Sequence, residues 1–542
     1  MVFFSFSLDS FVSAPKAQMN RHLLLLLLLF PIAVYSQVPG KNTSVPDTVK
    51  PKKNNIPVDT SEFWKDSLFK DGDPKIWRDG EVQRPPRPPR KRRKFKIRYS
   101  DRVQYSILGD YPLTTSAGVP TTLVLQKKLT AWEDSLIPIK YRGDTTLREH
   151  RRSIFLRAGR LLLIDAPLET LVMALGQDFY GHYGRMREFG LEGASLKFGA
   201  PIPFWVPMNN LAYDRPVIEE LASRQELAMV AGGAMEFNSM ASNELSTRWM
   251  QRKSLYYREA LHFLRLQTAA LTSVLTATND QANRKTAVDD WLFYTNRTYG
   301  FYTNYGYTAQ DLKKDYALAA LTNPWLYTSI YCVFGQFLIN GKDSLNIPAI
   351  KVGYGQTIMP WVRFGFSPFG GEWIPEISFT KHRQVLNVYA RLGNNAFNQN
   401  YGGGIKLVNF RRSTKLSLNA HLTYWNQQYF YRGFGNQVTE PIGFGGAATI
   451  TGFYKVSKAW NHSLSVVFTA GYKTRGYMEG EVWDASPIIR AGISFNLDKD
   501  YEQDDTVPEY EYIPNKLTKK ERKREKAKQA KARKAAQKKY KR

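Results

Sequence analysis

LSLNAHLTY (416–424), LSVVFTAGY (464–472) and IRAGISFNL (489–497) decide the fold of this chain. In the first, Leu416, Leu418, Ala420, Leu422 and Tyr424 alternate with Ser417, Asn419, His421 and Thr423; the other two repeat the pattern, with only Val467 out of step. A period of two sends successive side chains to opposite faces of an extended strand, so each stretch has one apolar and one polar face. Similar runs occur at Ile350–Tyr354, Val362–Phe366, Trp373–Phe379, Leu386–Leu392, Ile405–Phe410 and Ala448–Val456. Short turns bearing Gly, Asn, Lys or Arg join them, apart from a longer aromatic loop at Asn426–Pro441.

Nine such strands in succession have two physical solutions. One is an antiparallel sheet with its apolar face on a soluble core; the other is a closed barrel with its apolar face on lipid. The longer runs reach the length of a tilted bilayer crossing. Aromatic residues near strand ends (Trp361, Trp373, Tyr424, Trp425, Tyr429, Tyr472, Tyr477) suit interfacial girdles. With these features the C-terminal part, residues 348–497, resembles the outer-membrane β-barrel proteins of Gram-negative bacteria, particularly the Lys/Asn/Tyr-rich ones of the Bacteroidota. That resemblance is one of pattern. It implies a closed barrel in an outer membrane, although such barrels commonly end on their last strand and 45 residues follow Leu497 here. Since bacterial barrels have even strand numbers, a further strand is expected. Ala194–Phe198 or Thr121–Leu125 would supply it, which would make the helical region an insertion; Tyr105–Leu108 is a further short strand candidate.

The N-terminus suits this location. Arg21 and His22 precede an unbroken apolar run, Leu23–Phe30, and a small-residue exit at Ser36 before Gln37. The run is too short to span a bilayer and has the layout of an export signal (1–36), with Met19 the expected true start. The charge is concentrated elsewhere. Residues 84–98 hold nine basic and no acidic residues, and 516–542 hold fifteen basic and two acidic, so two short stretches carry +22 of the net +28. The 43% hydrophobic content excludes wholesale disorder, and the single cysteine, Cys332, excludes an internal disulfide framework. The expected organisation is α+β: a disordered Pro/Lys/Arg-rich linker (37–100), short strands and loops (101–152), a helical region (153–345), antiparallel up-and-down strands forming the barrel (346–500) and a basic disordered tail (501–542).

Within the helical region, Asp214 ahead of Pro216 opens a helix that Gly232-Gly233 should end or kink, and Ala234–Leu275 carries one long helix or two. Thr308 and Asp311 have capping-box spacing, and Pro324 should kink the helix that follows.

Candidate chemistry is thin. The stretch Gln177–Glu188 contains His182, Arg185 and Glu188, but the H-E-x-x-H pattern of a zinc-protease helix falls on Gln177, Asp178 and Gly181, leaving His182 one residue out of register. Glu259 and His262 have the Glu-x-x-His spacing of di-iron bundles, which require a second copy. His182, Glu188, Glu259 and His262 are thus the candidate catalytic set, and His182, Glu259 and His262 the candidate metal ligands; the competing reading is a set of packed polar residues. His421 with Thr423, and His462 with Ser463 and Ser465, are lumen-facing positions on a barrel. No phosphate loop or nucleophile elbow is present, and no cofactor is expected.

The sequence therefore points to an outer-membrane barrel with a helical insertion, in a structural, transport or recruitment role. An envelope hydrolase and a soluble periplasmic binding protein are the alternatives. Expected partners are outer-membrane lipid and, through the basic tail, anionic lipid or polysaccharide. The export signal and the lack of interleaved aromatics in the tail disfavour nucleic acid.

Overall fold

The computed structural model describes residues 103–111, 113–136, 147–191, 215–280, 282–299, 306–353, 356–381, 383–393, 400–411, 415–428, 430–432, 438–440, 443–457 and 464–496. The export signal, the linker, the basic tail, Asp214, Tyr429, His462, Ser463 and the Ala194–Phe198 candidate lie outside them.

Among the described residues, ten strands form one antiparallel sheet: β1 (Gln104–Gly109), then β4 (Ile350–Gly353), β5 (Gln356–Ser367), β6 (Gly370–Lys381), β7 (Gln384–Gly393), β8 (Tyr401–Arg411), β9 (Leu416–Gln427), β12 (Gly443–Ser457), β13 (Leu464–Lys473) and β14 (Ser486–Asn496). The intervening labels belong to two small antiparallel pairs, β2 (Ser254–Tyr256) with β3 (Ser344–Asn346), which lie far apart in sequence, and β10 (Phe430–Arg432) with β11 (Val438–Glu440). All nine alternating runs are strands, and the tenth is Tyr105–Leu108, not either of the two segments expected to complete the count. β1 pairs with β14 in register Gln104↔Asn496 through Gly109↔Ala491, so the first strand of the sheet lies beside the last. Thr121–Leu125, expected as a strand that could complete the count, is helical. It lies in α1 (Thr115–Leu136), whose inner face buries Val119, Leu123 and Val124.

Among the described residues the sheet does not close: its edges are β1 and β4, and the strand order runs from one to the other without joining them. The expected closed barrel is corrected on this point, and the reason lies in the connectivity: the helical region is inserted between β1 and β4. Side chains from nine of the ten strands nevertheless line one common cavity, so the sheet is strongly curled around what the insertion places inside it.

That insertion begins with α1 and continues through α2 (Leu147–Arg160), a π-helical segment (Leu161–Asp165), α3 (Ala166–Leu175), a second π segment (Gly176–His182) and α4 (Tyr183–Glu188). It goes on with α5 (Arg215–Glu219), α6 (Arg224–Arg252), α7 (Tyr257–Thr276), α8 (Ala287–Tyr299), α9 (Ala309–Leu321), α10 (Pro324–Ile330) and a last π segment (Tyr331–Ile339). The central helix is α6, with almost all of its 29 residues buried. It starts at Ser223, where the Ser223 side chain accepts from the Glu226 backbone N–H and the Glu226 side chain accepts from that of Ser223. It runs through Gly232-Gly233 without interruption, so this pair neither ends nor kinks it. The pair is a crossing notch: a Cβ on Gly233 would stand 2.4 Å from the carbonyl oxygen of Gly181. The helix stops at Lys253, held at φ +60°, which separates α6 from α7. The Thr308–Asp311 capping box forms, and Pro324 begins a new helix capped by the Asn323 side chain.

The polarity of the sheet faces is the reverse of a soluble core sheet. The face toward α6 carries Arg363, Glu376, Asn387, Tyr389, Lys406, His421, Thr451, Thr469 and Arg490. On the outward face, Ile377, Leu386, Val388, Ile405, Leu422, Ile450, Val466, Phe468, Ile489 and Ile493 are all exposed.

Candidate functional site: a polar chamber around the central helix

Between the inner sheet face, α1 and α6 lies a cavity of about 260 Å³. α6 turns Ser239, Asn243, Glu244, Thr247 and Arg248 toward the sheet at helical spacing, and the inward strand positions meet them. Arg363 on β5 donates to Ser239 Oγ at 2.6 Å and to Glu479 at 2.7 Å, and its Nε lies 3.6 Å from Glu376. Asn243 donates to Glu376 at 3.1 Å, and Asn387 to Thr247 at 3.0 Å. Glu244 faces both Arg248 at 3.2 Å and Lys406 at 3.3 Å. Arg391 pairs with Glu372 at 2.5 Å, and Arg490 with Asp110 at 2.8 Å and with Glu481. The cations of the chamber are thus answered by carboxylates in its wall, and a buried charge left unanswered would be costly.

Glu479 and Glu481 come from the loop between β13 and β14, residues 474–485, which folds back into one end of the chamber. It is held by the side-chain amide of Gln427, which donates to the Tyr477 carbonyl at 2.6 Å and accepts from the Tyr477 N–H at 2.7 Å. The Tyr477 hydroxyl donates to the Phe366 carbonyl at 2.9 Å, and the Gly480 N–H to Glu236 at 2.6 Å. Trp483 stacks on Phe430 with ring centroids 3.6 Å apart. Gly480 sits at φ +80°, so the turn favours glycine there. Burial alone would push the Glu479 carboxyl up, but Arg363 and Arg391 together with two hydrogen bonds outweigh it and hold it below the ordinary glutamate value of 4.5.

The candidate set His182, Glu188, Glu259 and His262 is not brought together into one site. His182 is buried, with Nδ1 2.7 Å from the Val230 carbonyl oxygen, so that nitrogen carries the proton. Glu188 accepts from Arg185 at 2.7 Å and from the Trp483 N–H, which makes it an anchor of the 474–485 loop. Glu259 and His262, three positions apart on α7, serve different neighbours. Glu259 accepts from Trp249 Nε1 at 2.9 Å, Tyr105 OH at 3.0 Å and Arg252. His262 Nδ1 lies 2.9 Å from Glu169. Among the described residues no group of three or more His, Cys, Asp or Glu could hold a metal ion.

His262 belongs instead to a buried charge network joining α1, α2, α3 and α7. Arg258 reaches Glu133 and Asp165, both at 2.6 Å, and Arg160 reaches Glu133 at 2.9 Å and Asp165 at 3.2 Å. Arg160 and Asp165 are five positions apart and would point well away from each other on an α-helix. The wider π turn at Leu161–Asp165 brings them to one side.

His421 and Thr423 do share the chamber side of β9, as the alternation requires, but they do not engage each other. His421 Nε2 is 2.8 Å from Tyr389 OH, and Thr423 Oγ1 donates to the Gly403 carbonyl at 3.0 Å. Of the expected girdle, Tyr424 and Tyr472 are exposed, joined by Tyr401 and Phe444 with ring centroids 6.4 Å apart. Trp361, Trp425 and Tyr477 point inward and are buried, which corrects their assignment. The chamber residues Arg363, Arg391, Lys406 and Glu376 were passed over by motif reading. The signal that would have found them is the alternation itself, since each occupies the polar phase of its strand.

No protein-family model matches this chain, and no curated protein or solved structure is detectably similar to it.

Proposed function

We propose that the protein is an integral component of a bacterial outer membrane. Its curled ten-stranded sheet faces lipid outward, and its own helical insertion occupies the interior. The observation that carries this is the outward face: from β6 to β14 the exposed side chains at the strand centres are apolar, while Arg, Lys, Glu, Asn and His take the inward positions. In water this arrangement places the wrong face outside; in a bilayer it is the stable one. On β12 the apolar row runs from Phe444 to Val456, twelve residue steps. That is about 40 Å of strand, which a tilt of about 40° reduces to roughly 30 Å, enough to cross the 25 Å band of outer-membrane barrels. No helix among the described residues is long and apolar enough to cross a membrane by itself.

The two ends of the sheet also differ. The connections at 354–355, 382–383, 412–415 and 458–463 have at most six residues, whereas the opposite end has one tight turn at 368–369 and longer connections at 394–400, 428–442 and 474–485. Outer-membrane barrels put short turns in the periplasm and longer loops outside. By that rule Gln104 and Asn496, both at the short-turn end, face the periplasm. With α6 and the 474–485 loop filling the interior, the role supported is structural or recruiting, not that of a wide diffusion pore. The test is fractionation of expressing cells. An integral protein stays with the outer-membrane fraction through carbonate and urea washing and needs detergent for release; a protein freed by carbonate is a soluble periplasmic one, and the reading fails.

A further inference from the structure

We propose that the helices filling the seam between β1 and β4 are themselves part of the lipid-facing wall, so that the perimeter is part strand and part helix. Its partner on the helical side is the hydrocarbon of the bilayer. This rests on the membrane reading of the sheet and extends it to a surface that strand patterning does not reach.

The first support is continuity. Starting from the β1 edge, β1 packs on α1, α1 on α3, the helical rod containing α2 on the last π segment, that segment on α10, α10 on α9, and α9 on β5 beside the other edge. The seam is therefore bridged by packed neighbours all the way across, and what these helices turn outward continues the outward surface of the sheet.

The second is polarity. Along the rod from Ser153 to Gly176, Phe155 and Leu163 are 78% and 71% exposed, with Leu156 and Leu162 beside them. On the same rod Asp165 and Glu169 are 0% and 1% exposed, and Arg157 and Arg160 are buried as well. A helix on a water-facing surface turns its charges out and its leucines in. Here the order is inverted, as it is on the sheet.

A third line comes from α10 and the π segment that continues it. Together they read PWLYTSIYCVFGQFLI, seven residues followed by nine with no charged side chain. Trp325, Cys332, Val333 and Phe337 pack inward while Tyr327, Ile330, Tyr331, Phe334 and Ile339 are exposed, so the helix is apolar on both sides. Such a helix belongs in a core or a membrane. Its length is at most about 24 Å, since the π turns rise less than the 1.5 Å per residue of an α-helix, so it falls short of a full bilayer span and approaches the band an outer-membrane barrel crosses. Arg157 donates to the carbonyl oxygens of Leu338 at 2.9 Å and Ile339 at 3.1 Å, so the two apolar surfaces are neighbours and form one patch.

The test places a nitroxide on the full-length chain in lipid vesicles at Leu163→Cys, Phe334→Cys and, as reference, Ile450→Cys on the outward face of β12. Cys332 is buried, and the unsubstituted chain checks its background. All three positions are exposed, so truncation opens no core. We expect Leu163 and Phe334 to match Ile450, with high collision rates with oxygen and loss of access to a water-soluble nickel chelate. Nickel access at Leu163 and Phe334 with Ile450 protected would overturn the helical wall and leave the membrane reading standing. Access of neither reagent at those two sites would mean that a second copy or another protein covers them, and would overturn it too. Nickel access at Ile450 would bring down the membrane reading itself.

Discussion

Gly181 and Gly233 touch backbone to backbone where the second π segment crosses the central helix. A Cβ on Gly181 would lie 2.7 Å from the Gly233 carbonyl oxygen, and one on Gly233 would lie 2.4 Å from the carbonyl oxygen of Gly181. Neither neighbour is a side chain that can swing aside. Within a helix, replacing Gly by Ala ordinarily stabilises by roughly 1 kcal/mol. Gly233→Ala should do the opposite, because two backbones would have to separate, at a cost of about 1–3 kcal/mol. Urea unfolding of the detergent-purified protein gives the sign; an unchanged or raised midpoint would show that the helices do not cross here.

Ile450 separates the two environments proposed for the sheet. It lies opposite Ala420 and Ala470 in the middle of β12, on the outward face. Lysine there should cost about 2–4 kcal/mol in a bilayer and reduce the amount assembled in the membrane. On a water-soluble sheet the same change would improve solubility and cost almost nothing. Comparing membrane-assembled Ile450→Lys with Ile450→Val decides between them.

The Arg363–Glu479 pair ties the 474–485 loop to the chamber. Arg363→Met would leave Glu479 buried with a weakened partner set, and about 3–5 kcal/mol of stability should go with it. The double variant Arg363→Met/Glu479→Gln should recover much of that loss. Because the folded-state pKa of Glu479 is depressed, its ionisation contributes stability above the ordinary glutamate range, and that contribution disappears as pH falls through and below it. Acid unfolding of the Glu479→Gln variant should therefore be less steep than that of the unsubstituted protein. Parallel acid titrations would show the pair to be idle if the two curves have the same slope.

Glu259 behaves as a structural carboxylate in this geometry. It faces Arg252, Trp249 and Tyr105, and so fastens β1 to the start of α7. Glu259→Gln should lower the unfolding midpoint, and Tyr105→Phe should lower it less, by about 1 kcal/mol. Metal analysis of the purified protein should find no stoichiometric zinc or iron. A bound metal lost together with His262 would reopen the hydrolase reading.

The strands were legible because alternation is a local signal, complete within nine residues, and every run read that way is a strand. Their inward phase was equally legible, and it placed His421 and Thr423 on the chamber side correctly. Closure was not legible. Whether β1 meets β4 depends on what residues 110–349 put in the seam, and nothing local to either strand records that. Thr121–Leu125 illustrates the limit of β propensity: a short run of Thr, Leu and Val fits a strand by itself, yet it lies within a 22-residue helix packed against β1. Gly232-Gly233 misled for a related reason. Glycine marks helix ends when the backbone must turn and helix crossings when another backbone must come close, and only the position of Gly181 tells which. The candidate site failed on geometry alone, since Glu259 and His262 have the right spacing and different partners.

The register Gln104↔Asn496 also has a kinetic side. The last strand of the sheet to be synthesised is the partner of the first, with the whole helical insertion and the sheet's eight other strands made between them. A contact of that sequence separation cannot form while the chain is still emerging, and its loop-closure entropy must be met before it stabilises anything. On the outer-membrane reading proposed above, the chain would reach the periplasm whole, with its apolar strand faces uncovered, and only then zip its two ends together. Between export and that event it would be an aggregation-prone polymer, its yield set by how quickly β14 finds β1.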